Sequence, residues 1–286
     1  MKFKQLIKEG GNAVSNTSRI NKINVNPTLE SLYRILLPKM NLTKKAISIL
    51  GTTGKRKTSG DIDIAVDTQA LMKGSKISNI DDLYDVMVSA SKSVSKEVKD
   101  TRSLGTISFS FPITNTDGKQ AGKLVQIDLF LVSNLSWANW IYFGPREEES
   151  KIKGFYRNIL LGQVAKHVSL KIRKKENGEN IEQERFLFIF SQGLMKAIQS
   201  RRGKKKLLKN FKSINRELIS TNPNKIVKLL FGPKAKPDNL LTFEQMFAAV
   251  QSNGFPKKSK RNVIFSETKK VLLKLNVPIP NELEPF

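Results

Sequence analysis

The spacing of apolar residues changes along the chain, and each change predicts an element. Leu29, Leu32, Tyr33 and Leu36 recur at helical spacing behind Thr28, a residue able to cap a helix, and Pro38 is placed to end it. A short apolar run from Ala46 to Leu50 reads as a strand. It stops at a loop carrying Gly51, Gly54 and Gly60. Beyond the loop, Asp61-Ile62-Asp63-Ile64-Ala65-Val66 alternates, so Ile62, Ile64 and Val66 face a core while Asp61 and Asp63 share the opposite face. From Asp82 to Lys99, the residues Leu83, Val86, Met87, Ala90, Val94 and Val98 form one buried helical stripe. Asp81, Asp82 and Asp85 suit the positive end of that helix. A hairpin is predicted next: Ile107, Phe109, Phe111 and Ile113 alternate, Thr116-Asp117-Gly118-Lys119 turns, and Leu124 to Val132 returns.

The flanks read differently. Residues 1–27 form a polar lead-in with several Asn and Gly10-Gly11. Trp137, Trp140, Tyr142 and Phe143 cluster before Gly144-Pro145-Arg146; Arg146 suits either a phosphate contact or the start of a surface helix led by Glu147 to Glu149. After residue 150 the pattern turns mostly helical, with Phe186-Leu187-Phe188-Ile189-Phe190 expected in a core. Asn222-Pro223, Gly232-Pro233 and Phe255-Pro256 cut the tail into short helices. The expected class is α+β, with a lead-in at 1–27, a mixed sheet with helices on one face at 28–150, and a basic, mostly helical domain at 151–286. His167, the only histidine, is expected to be structural.

Charge sharpens this division. The net charge is +25, but residues 1–150 hold 21 Lys and Arg against 15 Asp and Glu, whereas residues 151–286 hold 29 against 10. An excess of +19 in the second half points to a polyanion, nucleic acid before others, although surplus Lys also serves solubility. The densest run, Arg201-Arg202-Gly203-Lys204-Lys205-Lys206, suits phosphate contact or a solvated surface. No Cys is present, which excludes disulfides and thiolate metal sites and agrees with a reducing compartment. No apolar stretch is long enough for a signal peptide or a membrane span, so the expected location is cytoplasmic and no membrane partner is expected.

The chemistry is concentrated around the glycine loop. Asp61 and Asp63 on one strand face suit a hard divalent cation such as Mg²⁺. The glycines expose backbone N–H groups, and Lys55, Arg56 and Lys57 add the charge a polyphosphate needs. Two acids so spaced also describe a solvated strand end. A third acid argues for a site: Asp128 is the lone charge in Leu124–Val132, on one face with Gln126 and Phe130, and burial there is costly unless the charge is paired or metal-bound.

With these residues placed, the chain resembles the nucleotidyltransferase superfamily of DNA polymerase β, and within it the family X DNA polymerases. Thr58-Ser59-Gly60-Asp61-Ile62-Asp63 matches the end of that family's palm motif, and Gln126-Ile127-Asp128-Leu129-Phe130-Leu131 resembles the strand bearing its third acid. Tyr142-Phe143-Gly144 is similar to its Tyr-Phe-x-Gly element, one residue shorter. Thr52 stands where the family has Ser, and the loop before Thr58 is one residue short. The resemblance spans about residues 45 to 160. With about fifty residues ahead of the palm motif, the family's lyase and finger domains are expected to be missing, and the basic half to replace them in gripping nucleic acid.

The resemblance implies a nucleotidyltransferase palm and transfer from a nucleoside triphosphate to a nucleic-acid 3′-hydroxyl, of DNA or RNA. It implies Asp61, Asp63 and Asp128 as catalytic ligands of two Mg²⁺ ions, with Mn²⁺ an alternative. Gly51, Thr52, Lys55, Arg56, Ser59 and Gly60 would cradle the phosphates, and Tyr142, Phe143 and Gly144 would border the sugar and base. Non-templated terminal or tRNA nucleotidyl transfer, and nucleotidyl transfer to a protein, are the nearest rivals. A catalytically silent nucleic-acid-binding protein is the rival from another class. The sugar, the acceptor and the oligomeric state stay open.

Overall fold

A computed structural model describes residues 13–174, 180–202 and 214–286. The chain is mixed α and β and divides into two compact units, Met1–Lys151 and Ile152–Phe286.

The first unit is built on a five-stranded sheet. Its strands are β2 (Ile47–Ile49), β4 (Asp61–Asp67), β7 (Gln120–Val132), β6 (Thr106–Thr114) and β5 (Val98–Thr101), in that spatial order. Only β4 and β7 run parallel; every other pairing in the sheet is antiparallel. A separate ribbon pairs β1 (Ile20–Asn21) with β3 (Thr58–Ser59). Alternation holds in β4: Ile62, Ile64 and Val66 enter the main core with Ile127, Leu129 and Leu131 of β7. That core is closed by α1 (Lys22–Lys39), α2 (Thr68–Ser75) and α3 (Ile80–Lys92), through Leu32, Leu36, Leu71, Leu83 and Met87. The turn residues act as expected: Gly118 adopts φ +81°, which favours glycine, and Asn115 N–H donates to the Lys119 carbonyl at 2.8 Å.

Four expectations change here. Helices do not lie on one face alone: α4 (Leu135–Ile141) packs Ala138 against Ala65, Leu50 and Val132 on the other face, that of the acids. Helix α1 begins at Lys22, not after Thr28. Pro27 lies inside it, and Thr28 is fully buried, its hydroxyl accepting the Thr114 N–H at 2.9 Å. The lead-in is correspondingly not all loose, since Val14 and Ile20 are buried. Helix α3 stops at Lys92, and Val98 belongs to strand β5. The Ser93 hydroxyl donates to the Ala90 carbonyl at 2.6 Å, a local bond that competes with helix continuation.

The second unit corrects the expectation of a mostly helical domain. After α5 (Gly154–Ser169) comes a four-stranded antiparallel sheet ordered β11 (Ile214–Ser220), β10 (Gly193–Arg202), β9 (Asn180–Ile189), β8 (Lys171–Lys174). The Phe186–Phe190 run lies in β9 and just beyond it, half-buried rather than in a core. Glu184 of β9, 8% exposed, sits 3.5 Å from the Lys196 ammonium of β10 and 3.8 Å from that of Lys171. The chain then forms α6 (Pro223–Phe231), capped by Asn222, α7 (Phe243–Gln251), opened by a Thr242–Gln245 capping box, and α8 (Arg261–Leu275). Phe247, Phe265 and Phe286 pack as a cluster, with ring centroids of the first two 4.4 Å apart.

His167 of α5 is buried, and its Nε2 has no hydrogen-bond partner. Burial, helped by Lys166 and Lys260 and opposed by Glu267, pushes its pKa down from 6.5 to about 4. A depressed folded-state pKa means stability that is present above pH 6.5 and is lost as the pH falls towards 4. We expect His167→Gln to flatten that loss in urea unfolding at pH 7 and pH 4.5; equal losses in variant and wild type would remove the histidine from the account. Among the described residues, no helix is long and apolar enough to cross a membrane.

Candidate metal and nucleotide site

The parallel register of β4 and β7 places Asp63 directly beside Asp128, and Asp61 beside Gln126. All four project on the face opposite the main core, as the alternation requires. One carboxylate oxygen each from Asp61, Asp63 and Asp128 lie within 4.8 Å of one another. Asp67 shares that face but has another task, capping α2 by accepting the Ala70 N–H at 2.9 Å.

The glycine loop closes over the acids from one side. Gly51 takes φ +62°, and a Cβ there would sit 3.1 Å from Asp63 Oδ2, so the backbone runs against the carboxylate. Thr53, which sequence reasoning passed over, is buried behind it. Its hydroxyl accepts the Asp63 N–H at 3.4 Å and lies 3.5 Å from the Asp61 carbonyl oxygen, to which it donates.

Helix α4 delivers the aromatic segment to the same place. Tyr142, which follows its last turn, packs on Phe130 with ring centroids 5.3 Å apart. The Gly51 N–H donates to the Tyr142 carbonyl at 3.0 Å, and Gly51 and Phe143 form a parallel bridge. Gly144 is pressed so closely on Gly51 that a Cβ would meet the Gly51 carbonyl carbon at 2.4 Å. Lys55 links the two segments: its ammonium donates to the Gly144 carbonyl at 3.0 Å and lies 4.5 Å from the centre of the Phe143 ring.

All six residues expected to cradle phosphate, Gly51, Thr52, Lys55, Arg56, Ser59 and Gly60, lie in the segment joining β2 to β4. Three are engaged otherwise than expected. The Gly51 N–H is taken by the Tyr142 carbonyl. Lys55 is held by Gly144, and the Arg56 guanidinium reaches the Ser150 carbonyl at 3.5 Å. Ser59 is buried in β3 with its hydroxyl unpartnered. Arg146 is exposed and opens a turn in which Glu149 accepts its N–H at 2.8 Å. Arg201 and Arg202 end β10, but their side chains, and all of Lys204, Lys205 and Lys206, lie outside the described residues.

Electrostatics mark the acids as a unit. Burial, reinforced by Asp61 and Asp128, raises the Asp63 pKa well above the carboxylate range. Burial also raises Asp128, against hydrogen bonds from Ser108 and Gln126 that lower it. Ser108 lies opposite Asp128 on β6. Tyr142 is held protonated by burial and by Asp63. Lys55 is lowered, first by burial. Keeping three carboxylates ionised together here is costly, and a bound cation offsets that cost. The donors are all oxygen, a set that fits Mg²⁺ or Mn²⁺ and not a soft metal. Gln126 and Ser108 were not singled out as site residues from the sequence; their only signal is position, on the face of the third acid or directly across from it.

No protein-family model matches this chain, and comparison with curated proteins gives no match.

Proposed function

We propose that the protein is a nucleotidyltransferase of the DNA polymerase β type, moving a nucleotide from a nucleoside triphosphate to a nucleic-acid 3′-hydroxyl with release of pyrophosphate. The observation that carries this reading is the pairing of Asp63 with Asp128, which gathers three carboxylates beside a glycine loop. The first unit is then the palm, and Asp61, Asp63 and Asp128 hold the cations. When bound there, two Mg²⁺ or Mn²⁺ ions would supply Lewis acidity for the hydroxyl nucleophile and positive charge for the pyrophosphate leaving group.

The chain's own groups do the rest. Backbone N–H groups of Thr52 and Gly60 and the hydroxyl of Ser59 bind the β and γ phosphates, while Gly51, whose own N–H is held by the Tyr142 carbonyl, keeps the loop against the acids. Lys55 and Arg56 contribute positive charge while bracing the loop against Gly144 and Ser150. Tyr142, Phe143 and Gly144 border the sugar and base. The +19 of residues 151–286 supports nucleic acid as the acceptor. The Cys-free sequence supports the cytoplasm as its location.

The test offers labelled dNTPs and NTPs, with Mg²⁺ and with Mn²⁺, to a primed template, a single strand and tRNA. We expect one acceptor to grow and pyrophosphate to appear in equal amount. Failure to extend any acceptor with either ion would remove the reading.

A further inference from the structure

Gln126 lies two residues before Asp128, on the same face of β7, and is 2% exposed. Its carboxamide is used at both ends. Nε2 donates to both Asp128 carboxylate oxygens, at 3.0 and 2.9 Å. Oε1 accepts backbone N–H groups from Ala13, at 2.7 Å, and Val14, at 3.3 Å. The orientation of the amide is chemically forced. A flipped group would set its oxygen against the carboxylate and its NH₂ against two N–H donors.

The segment that supplies those N–H groups is itself fastened along its length. Ser15 donates from both N and Oγ to the Glu97 carboxylate, at 2.9 and 2.6 Å. Ser18 N–H donates to the Leu124 carbonyl at 2.7 Å, on the strand of Asp128. The Arg19 guanidinium grips the Thr58 hydroxyl and carbonyl at 3.0 and 3.2 Å. Ile20 and Asn21 then pair with Ser59 and Thr58, within three residues of Asp61. One stretch thus joins the strand of the third acid to the strand that precedes the first two.

We propose that residues 13–21 are a built-in part of the metal centre, and that Gln126 is the positioning residue through which they orient Asp128 for a divalent cation. The proposal rests on the nucleotidyltransferase reading only for what the cation is used for. A neutral amide that bridges both oxygens fixes the plane of the carboxylate without cancelling its charge, which stays available to the cation. Without the amide, the Asp128 carboxylate is free to turn about its last side-chain bond. Loss of such a supporting contact typically weakens metal binding about 10- to 100-fold.

The test is a Mn²⁺ titration of the full chain followed by electron paramagnetic resonance, with nucleotide transfer measured in parallel. Gln126→Met keeps the volume and removes both ends of the bridge. Ala13→Pro removes only the shorter N–H contact from the far end. We expect Mn²⁺ affinity to fall at least about tenfold in Gln126→Met and severalfold in Ala13→Pro, at a temperature where the metal-free variants are folded. Affinity within twofold of wild type in Gln126→Met overturns the proposal; should that variant not fold, the same result in Ala13→Pro overturns it. A wild-type chain that binds Mn²⁺ but transfers no nucleotide would end the enzymatic reading and leave this one standing. A wild-type chain that binds no Mn²⁺ would end both.

Discussion

Asp63→Asn and Asp128→Ala are each expected to lose about 10³-fold in nucleotide transfer, equivalent to about 4 kcal/mol of transition-state stabilisation, while Asp63→Asn leaves the metal-free protein no less stable. Both halves follow from one geometry. The three carboxylates lie within 4.8 Å of one another, so each removed ligand costs cation binding directly. The same crowding means that removing the Asp63 charge relieves repulsion and burial. The sign follows from the raised pKa of Asp63: its contribution to stability is complete below the ordinary value of 3.8 and is lost as the pH rises through its folded-state value. The metal-free wild type should therefore weaken relative to Asp63→Asn as the pH rises above 4, and Mg²⁺ should close the gap. Unfolding temperatures from pH 5 to 8, in chelator and in Mg²⁺, measure this. An Asp63→Asn protein that unfolds earlier than wild type in chelator, or that transfers nucleotide within tenfold of it, would contradict the assignment.

The second large effect is expected at Gly144. A Cβ there would lie 2.4 Å and 2.5 Å from the carbon and oxygen of the Gly51 carbonyl and 2.6 Å from the Thr52 nitrogen. All three are backbone atoms, so no rotamer change relieves the clash. Gly144→Ala should cost about 3 kcal/mol, at the upper end of overpacking, or separate the two segments and sacrifice the Lys55–Gly144 and Gly51–Tyr142 hydrogen bonds. In either case the loop loses its backing next to Asp63, and transfer should fall about 100-fold. Gly162→Ala is the control. Nothing lies within 4 Å of that position in the middle of α5, and alanine there should stabilise by up to about 1 kcal/mol. Urea unfolding of the two variants separates them; similar behaviour would show that the close approach of Gly144 and Gly51 carries no weight.

Much of the first unit was legible because its signals are local. Period-two alternation in Asp61–Val66 set both faces of β4, and a single carboxylate in the apolar Leu124–Val132 stretch marked Asp128 before any fold was known. Local signals also misled. Pro27 hid the first turns of α1, because proline is rare inside a helix and common at its start. Val94 and Val98 continued the stripe of α3 in projection, but the intervening serines end the helix through their own hydrogen bonds. In the second unit, the strands β8 to β11 escaped notice because their polar and apolar residues do not alternate cleanly, although each strand pairs with the next along the chain. Glu184 is balanced by Lys196 on one neighbour and approached by Lys171 on the other. A charged residue in such a strand looks, in one dimension, like any solvated surface.

The order of residues alone settled which side chains share a face, where the glycine loop falls, and that three acids needed an explanation, because each depends on neighbours a few positions apart. Bringing Asp63 level with Asp128 across 65 residues, seating Gly144 on Gly51, and fastening residues 13–21 to Gln126 needed the folded chain. Those contacts form between segments far apart in the chain, and hydrogen bonds and packing choose their register only when the segments meet.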